Sequence, residues 1–525
     1  MCHVKMANTV LLILTNSSKV GKLLPEIKNH IFKTLYIQYF PDKNLTPGNL
    51  SSSLLRCKCL SSHYQMIANI YTLATTFLSK IDVRVLISSV KKSSKITTVR
   101  PIELVIFDKD YSKEDAKIFI ENCITNSSKP CNYITIADDH QEPDKCLTEN
   151  FDSNEKIYHN VVLGGTFDRL HNGHKILLSK AILKCSEKLT VGVTDSSMIT
   201  NKILWELIEP CEKRMDALRE FLRDVNPNLI YDIVPISDVY GPTKDDPSFE
   251  MIVVSEETKR GAAKINELRC QKGLSSLDVE VVHLIEDSHH GKNEETKISS
   301  SNHRIRLLGT RLKEPNISGK PLKPYIIGLT GGIASGKSSV AEKLKSLGAG
   351  IVHCDKLAHD MYKPGQRCFN SVVELFGKEI LTPDGQIDRK ALGNIVFNDK
   401  KELDKLNKIV WPAILDAAMD KVKQLQAQGL EIIIMEAAVL IQAKWQFVCH
   451  EIWTCIIPHE EAVKRLMERN NLSRKEAEMR IKVQPSNVEQ VNEATVVLST
   501  LWSHEITLSQ VQKAWELLKE FLSKQ

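Results

Sequence analysis

The sequence predicts an α/β protein of three domains, and three observations carry that expectation. Over the first 155 residues, short β-rich runs alternate with helical patterns. A strand, a glycine pair and a helix follow one another over residues 161–184. A third such unit starts at Tyr325, where a strand enters a glycine-bracketed turn and then a helix. A chain of 525 residues also exceeds one hydrophobic core, and a prior of about 150 residues per domain gives roughly three or four domains.

Composition narrows the class. With 42% hydrophobic and 26% charged residues, the chain reads as a soluble globular protein. Its formal net charge is only +5, from 70 basic and 65 acidic residues, which favours local phosphate pockets over a nucleic-acid face. The 13 cysteines are odd in number and scattered, and the close pair Cys57 and Cys59 lacks metal or redox spacing, so free thiols in a reducing compartment are expected. No apolar run reaches the length of a membrane span. The first arginine is Arg56, so no Arg-rich transit pattern is visible and a cytoplasmic setting is the default.

The elements follow in order. Residues 10–15, 34–39, 83–88, 103–107 and 133–136 read as strands, with helices over 64–80 and 113–122. These residues offer no phosphate loop, metal cluster or nucleophile–base pair, so domain 1–155 is expected to be non-catalytic, docking on proteins or a membrane surface or serving regulation. Residues 138–156 are polar and acid-rich, with Pro143 among them, and read as a linker. A second domain, 156–315, ends where Pro315, Pro321 and Pro324 restrict the chain, and a third covers 324–525.

In the second domain, Val161-Val162-Leu163 is a strand that runs into Gly164-Gly165-Thr166-Phe167-Asp168 and His171-Asn172-Gly173-His174, with helical apolar spacing beyond. Glycines at the carboxyl end of a parallel strand let the backbone approach a phosphate. His171 and His174 flank the helix start, where imidazole donors meet phosphates. This conjunction resembles the nucleotidyltransferase superfamily marked by His-x-Gly-His, which implies a Rossmann-like fold. Gly165, Thr166 and His171 are then expected to bind nucleotide, and His174 to be the most sensitive position. Lys202 and Arg214 occupy places where these enzymes carry phosphate and helix residues, and each reads equally as a ligand or as a surface charge. The run Ser299-Ser300-Ser301 with Arg304 resembles the superfamily's Ile-Ser-Ser-Thr-x-x-Arg and implies contacts to a triphosphate. Residues 253–266 resemble the eukaryotic type of phosphopantetheine adenylyltransferase. The resemblance implies transfer of an adenylyl group from ATP to 4′-phosphopantetheine, with Lys202 catalytic alongside His174.

In the third domain, Gly331-Gly332-Ile333-Ala334-Ser335-Gly336-Lys337-Ser338 fits Gly-x-x-x-x-Gly-Lys-Ser between a strand and a helix. The spacing lets loop N–H groups surround a β-phosphate while Lys337 reaches the β/γ-phosphates and Ser338 binds Mg²⁺. A strand over 350–355 ends in Asp355, which is either a helix N-cap or the acceptor of an alcohol proton. This P-loop kinase pattern, with Asp384-Gly385 and Arg465-x-x-x-Arg469 leading to Arg480 and Gln484, resembles dephospho-coenzyme A kinase. The resemblance implies dephospho-CoA and ATP as substrates, and makes Arg469 and Arg480 lid residues, the alternative being solvated helix charges. Trp411-Pro412 and Glu436 depart from the bacterial pattern; Glu436 either assists Mg²⁺ through water or merely ends a buried strand.

The order of the two motifs resembles the animal family of bifunctional coenzyme A synthases over essentially the whole chain. That family association implies ATP and Mg²⁺ at both sites, two consecutive reactions on one substrate, and contact with mitochondria. Two rivals stand beside it: a regulatory or scaffold protein with one decayed site, and a cytidylyltransferase-type activity on a choline- or glycerol-type phosphate fused to a P-loop kinase.

Overall fold

The computed structural model describes residues 6–40, 60–87, 95–136 and 155–525; Cys57, Cys59 and the expected linker with Pro143 lie outside them. The chain divides into two compact units, Met1–His303 and Arg304–Gln525.

The first unit holds two five-stranded sheets. In one, β1 (Ala7–Leu14), β2 (Ile31–Tyr39), β3 (Asp82–Leu86), β4 (Ile102–Phe107) and β5 (Ser127–Thr135) lie in the order β3-β2-β1-β4-β5, with every pair parallel. Helices α1 (Val20–Ile27), α2 (Leu60–Phe77) and α3 (Lys113–Cys123) connect them. Every residue of β1 but Asn8 is buried, because a central parallel strand is covered on both faces. The spacing that predicts α3 is completed by Ser112, whose hydroxyl accepts the Asp115 N–H as an N-cap.

The second sheet contains β6 (Tyr158–Gly165), β7 (Cys185–Thr194), β8 (Ile230–Ile236), β9 (Met251–Ser255) and β10 (Asp278–Val282) in the order β10-β9-β6-β7-β8, again parallel. Its helices are α4 (Asn172–Lys184), α5 (Cys211–Val225) and α6 (Lys259–Gln271), and α7 (Ser300–Leu307) follows. One hydrophobic core runs through both sheets of this unit, from Leu24 and Ile70 to Leu178 and Leu222. The two sheets are joined by α2 packed on α4 and α5 packed on β3, with the Ile87 N–H donating to Val225 O at 2.8 Å.

The second unit is built on β11 (Tyr325–Gly331), β12 (Gly350–His353), β13 (Ile432–Glu436), β14 (Glu451–Ile456) and β15 (Val496–Ser499), in the order β12-β13-β11-β14-β15. Around it lie α8 (Lys337–Ser346), α9 (Cys354–Met361), α10 (Phe369–Phe376), α11 (Arg389–Asn398), α12 (Lys400–Ala427), α13 (His459–Asn470), α14 (Arg474–Lys482), α15 (Asn487–Glu493) and α16 (His504–Leu522). Trp411-Pro412 falls inside α12, which continues through the proline and buries one stripe of Leu406, Val410, Ile414, Ala418 and Val422. A strap ahead of β11 covers the edge strand β15: the Gly309 N–H donates to Val497 O at 2.9 Å and the Leu312 N–H to Thr495 O at 2.7 Å. No helix among the described residues is long and apolar enough to cross a membrane.

Candidate active sites

The first site forms where β6 meets α4. A Cβ on Gly165 would sit 3.1 Å from the Phe167 ring, so the ring would have to give by a few tenths of an ångström. A Cβ on Gly173 would press on the His171 ring in the same way, at 3.2 Å. His171 caps α4, its Nδ1 accepting the His174 N–H at 3.4 Å, and the two imidazoles stack with centroids 3.7 Å apart. Its Nε2 meets Ser300 Oγ at 3.4 Å, and the same hydroxyl donates to Asp168 O at 3.0 Å. Ser300 of the predicted serine run is therefore brought onto the histidine turn. Ser299 caps α7 by accepting the Asn302 N–H at 3.1 Å, Ser301 is half-buried in the first turn, and Arg304, on the same helix, is 1% exposed.

Burial lowers the His174 pKa to about 3, aided by the positive charges of His303, Lys202 and Lys175, so the ring is neutral at physiological pH. Its Nδ1 is buried without a hydrogen-bond partner. Lys202 lies in an exposed turn after β7, within electrostatic reach of His174. Arg214 is neither of the things its sequence context suggests, since it is 1% exposed. Its guanidinium donates to Glu209 O at 2.8 Å, Thr194 O at 2.8 Å and Thr166 O, clamping the ends of β6 and β7 together. Across that clamp the Thr194 hydroxyl donates to Thr166 Oγ1 at 3.2 Å. The result is a half-buried turn with a neutral imidazole and hydroxyls, within electrostatic reach of a lysine, a set suited to phosphate oxygens.

The second site forms where β11 meets α8. Gly331 has φ +148°, and a Cβ on it would approach Cys455 O to 2.4 Å. Gly336, at φ +81°, would press on Thr500 in the same way. The Thr500 hydroxyl donates to Ser335 O at 2.9 Å and is itself held by Arg465, which donates to Thr500 Oγ1 at 2.9 Å and to its carbonyl at 2.7 Å. The loop between these glycines carries Gly332, Ile333, Ala334 at φ +60° and Ser335, whose buried hydroxyl has no partner. Lys337 Nζ donates to Gly331 O at 2.9 Å and Gly332 O at 3.2 Å, folded over the loop. The Ile333 N–H donates to Gln484 Oε1 at 2.6 Å, which brings the predicted Gln484 to the loop.

Ser338 Oγ donates to Glu436 Oε1 at 2.7 Å, and His353 Nδ1 meets Glu436 Oε2. Glu436 ends β13 and is only 5% exposed. Strand β12 stops at His353, two residues before the expected end, so Asp355 lies in the first turn of α9 and His353 occupies the cap. Asp355 opens to solvent but is crowded by protein on its inner side. That desolvation raises its pKa, with Lys337 pulling the other way, while burial lowers the pKa of Lys337. Arg469 ends α13, exposed, and its charge also bears on Lys337; Arg480 is exposed in the last turn of α14. A hydroxyl and a buried carboxylate at the loop form an oxygen donor set that fits Mg²⁺, which takes few protein ligands beside water and phosphates. His353 and Thr500 belong to these surroundings, and Lys175 to those of the first site, without any motif to flag them.

Residues 325–502 match the family described as dephospho-CoA kinase, and residues 162–306 the family described as cytidylyltransferase-like. The dephospho-CoA kinase of Carboxydothermus hydrogenoformans is 45% identical over 186 residues, covering 35% of this chain and 90% of that protein. That of Moorella thermoacetica is 39% identical over 200 residues, covering 38% of this chain and 94% of that protein. Among solved structures, TT1252 from Thermus thermophilus is 30% identical with a TM-score of 0.34, covering 38% of this chain and 98% of that one. The chain therefore belongs to the dephospho-CoA kinase family, with a cytidylyltransferase-like domain joined ahead of its kinase residues.

Proposed function

We propose that this chain performs the last two steps of coenzyme A synthesis. At the first site 4′-phosphopantetheine attacks the α-phosphate of ATP, forming the new P–O bond and releasing diphosphate, to give dephospho-CoA. At the second, ATP phosphorylates the ribose 3′-hydroxyl of dephospho-CoA to give CoA and ADP. The observation that carries the reading is the buried neutral His174 at a glycine turn, on the same chain as a kinase-family loop. Residues 1–155, 156–315 and 324–525 are the functional divisions that this reading assigns.

The two chemistries ask different things of the protein. A phosphate nucleophile is already an anion, so the first site needs positioning and charge neutralisation, roles that suit Thr166, His174 and Lys202. An alcohol must lose a proton as it attacks. Asp355, held near Lys337 with a raised pKa, is the acceptor, and Arg469 and Arg480 close over the transferring group. Ser338 and Glu436 are the residues that would hold Mg²⁺, which would neutralise phosphate oxygens there.

The test supplies ATP and 4′-phosphopantetheine to the full chain. Wild type is expected to yield CoA, Lys337→Ala to stop at dephospho-CoA with at least about a 100-fold loss in the second step, and His174→Ala to lose the first step while still phosphorylating supplied dephospho-CoA. The cytidylyltransferase-like match keeps a second reading in play, transfer from CTP to a choline- or glycerol-type phosphate. Turnover of CTP with such an acceptor, and none of ATP with 4′-phosphopantetheine, would replace the first-step assignment.

A further inference from the structure

Two helices of the transferase site are gripped by the N-terminal domain, α4 in the turn that carries His174 and α5 at its C-terminal end. In the first turn of α4, Asn172 Nδ2 donates to Tyr71 O at 3.2 Å and to Thr75 Oγ1 at 2.9 Å, both on α2. Lys175 directly follows His174, and its side chain is only 4% exposed. Its Nζ contacts Asp82 Oδ1 at 2.6 Å and Val83 O at 2.9 Å, at the start of β3. A lysine is rarely buried this far unless it is paired, and this partner lies 93 residues away, in the domain expected to be non-catalytic.

Asp82 is held in turn. Arg84 reaches its Oδ2 at 2.7 Å and also pairs with Asp224 on α5, whose carboxylate accepts the Tyr36 hydroxyl at 2.9 Å and the Val99 N–H at 2.6 Å. Helix α5 is the one that carries Arg214, the clamp on Thr166 and Thr194. The same short strand thus anchors the start of α4 and the C-terminal end of α5. Burial works against both charges and lowers the Lys175 pKa, but at Asp82 the Lys175 and Arg84 cations outweigh it and hold the carboxylate's pKa below the ordinary value.

We propose that the N-terminal domain is a working part of the transferase site: the pair of buried Lys175 with half-buried Asp82 is a positioning device that sets the first turn of α4 and through it the rings of His171 and His174. The domain then has a task in the first reaction whatever else it docks. The inference rests on the transferase reading of that site, and displacement of a turn by about 1 Å is enough to cost a reaction of this kind up to 100-fold.

The experiment uses the full chain with histidine ¹³C-labelled, in wild type, Asp82→Asn, Lys175→Met and the conservative Asp82→Glu, with Asn172→Ala as the gentler variant should the first two fail to fold. The expected result is that Asp82→Asn and Lys175→Met lower kcat of adenylyl transfer about 10- to 100-fold, leave phosphorylation of supplied dephospho-CoA within about 2-fold, and move the His171 and His174 imidazole signals, while Asp82→Glu restores much of both. Folded variants with unchanged first-step kcat and unmoved imidazole signals would overturn the proposal. If wild type transfers no adenylyl group at all, yet Asp82→Asn still moves those signals, the reaction assignment falls and the positioning role stands.

Discussion

His174 and Lys337 are both deprived of water, and burial drives both toward their neutral forms; only Lys337 has nearby carboxylates, Asp355 and Glu436, to hold its charge. The consequence for His174 is a signature in pH. Its folded pKa of about 3 lies below the unfolded value of 6.5, and His171 shifts the same way. Above pH 6.5 neither state binds the proton. Below it the unfolded chain does and the folded one does not, so stability is lost as pH falls through 6.5 toward 3, by about 1.4 kcal/mol per unit for His174, with His171 acting in the same direction. The imidazole signals of His171 and His174 are therefore expected to stay flat between pH 8 and 5, at about the precision of the shift, while the unfolding temperature of the first unit declines below neutrality. A midpoint near 6.5 for either ring would refute this. At this scale the motif residues were legible because their spacing is local, with Lys337 folded back on Gly331 and Gly332 and His171 capping the His174 N–H. His353 with Glu436 and Asp82 with Lys175 were not, because each pair joins positions 83 and 93 residues apart that only folding brings together.

Elements were read from periodicity, and the reading succeeds where a strand or helix buries a regular face. The strands expected over 10–15, 34–39 and 103–107 lie within or overlap β1, β2 and β4, and the helix expected from Gly173 is α4 with one residue more. It falters where tertiary contacts override a local signal. Pro25 lies inside α1, a helix the pattern did not announce, and Pro412 lies inside α12, whose buried stripe holds the helix together despite the lost N–H. Arg214 is the case with most at stake, since charge at helical spacing reads as solvated surface and the structure puts it in the core. Replacing it with Met leaves three carbonyls without donors, each worth about 1–3 kcal/mol when stranded. We expect Arg214→Met to destabilise the first unit by about 3–5 kcal/mol and to depress adenylyl transfer, with the second unit's kinase activity intact. Thermal unfolding followed alongside both activities reads all three, and an unchanged unfolding profile would mean that the clamp is dispensable.

At the scale of the whole molecule, the proline-punctuated stretch before Tyr325 reads as a boundary, and the contacts assign it a function in the second unit instead. Residues 309–312 run along β15, the last strand of its sheet, and the bridge between Arg311 and Val496 is antiparallel. An uncovered edge strand invites pairing with other chains, so this strap acts as its cover. Arg311 adds a contact of 2.8 Å to Glu451, a carboxylate 1% exposed that also accepts from Tyr325 at 3.0 Å and Trp453 at 2.7 Å. Removing the strap takes away that buried carboxylate's cation, a loss of about 3–5 kcal/mol, beside two backbone hydrogen bonds of about 1 kcal/mol each. A fragment spanning 304–525 is therefore expected to fold and to phosphorylate dephospho-CoA. A fragment spanning 324–525 should unfold at least about 8 °C lower, at roughly 2–4 °C per kcal/mol for a domain of this size, and should self-associate as it does so. The comparison needs only differential scanning and light scattering on the two fragments; equal melting temperatures would show that the strap is a tether, and that β15 is protected by something other than residues 304–323.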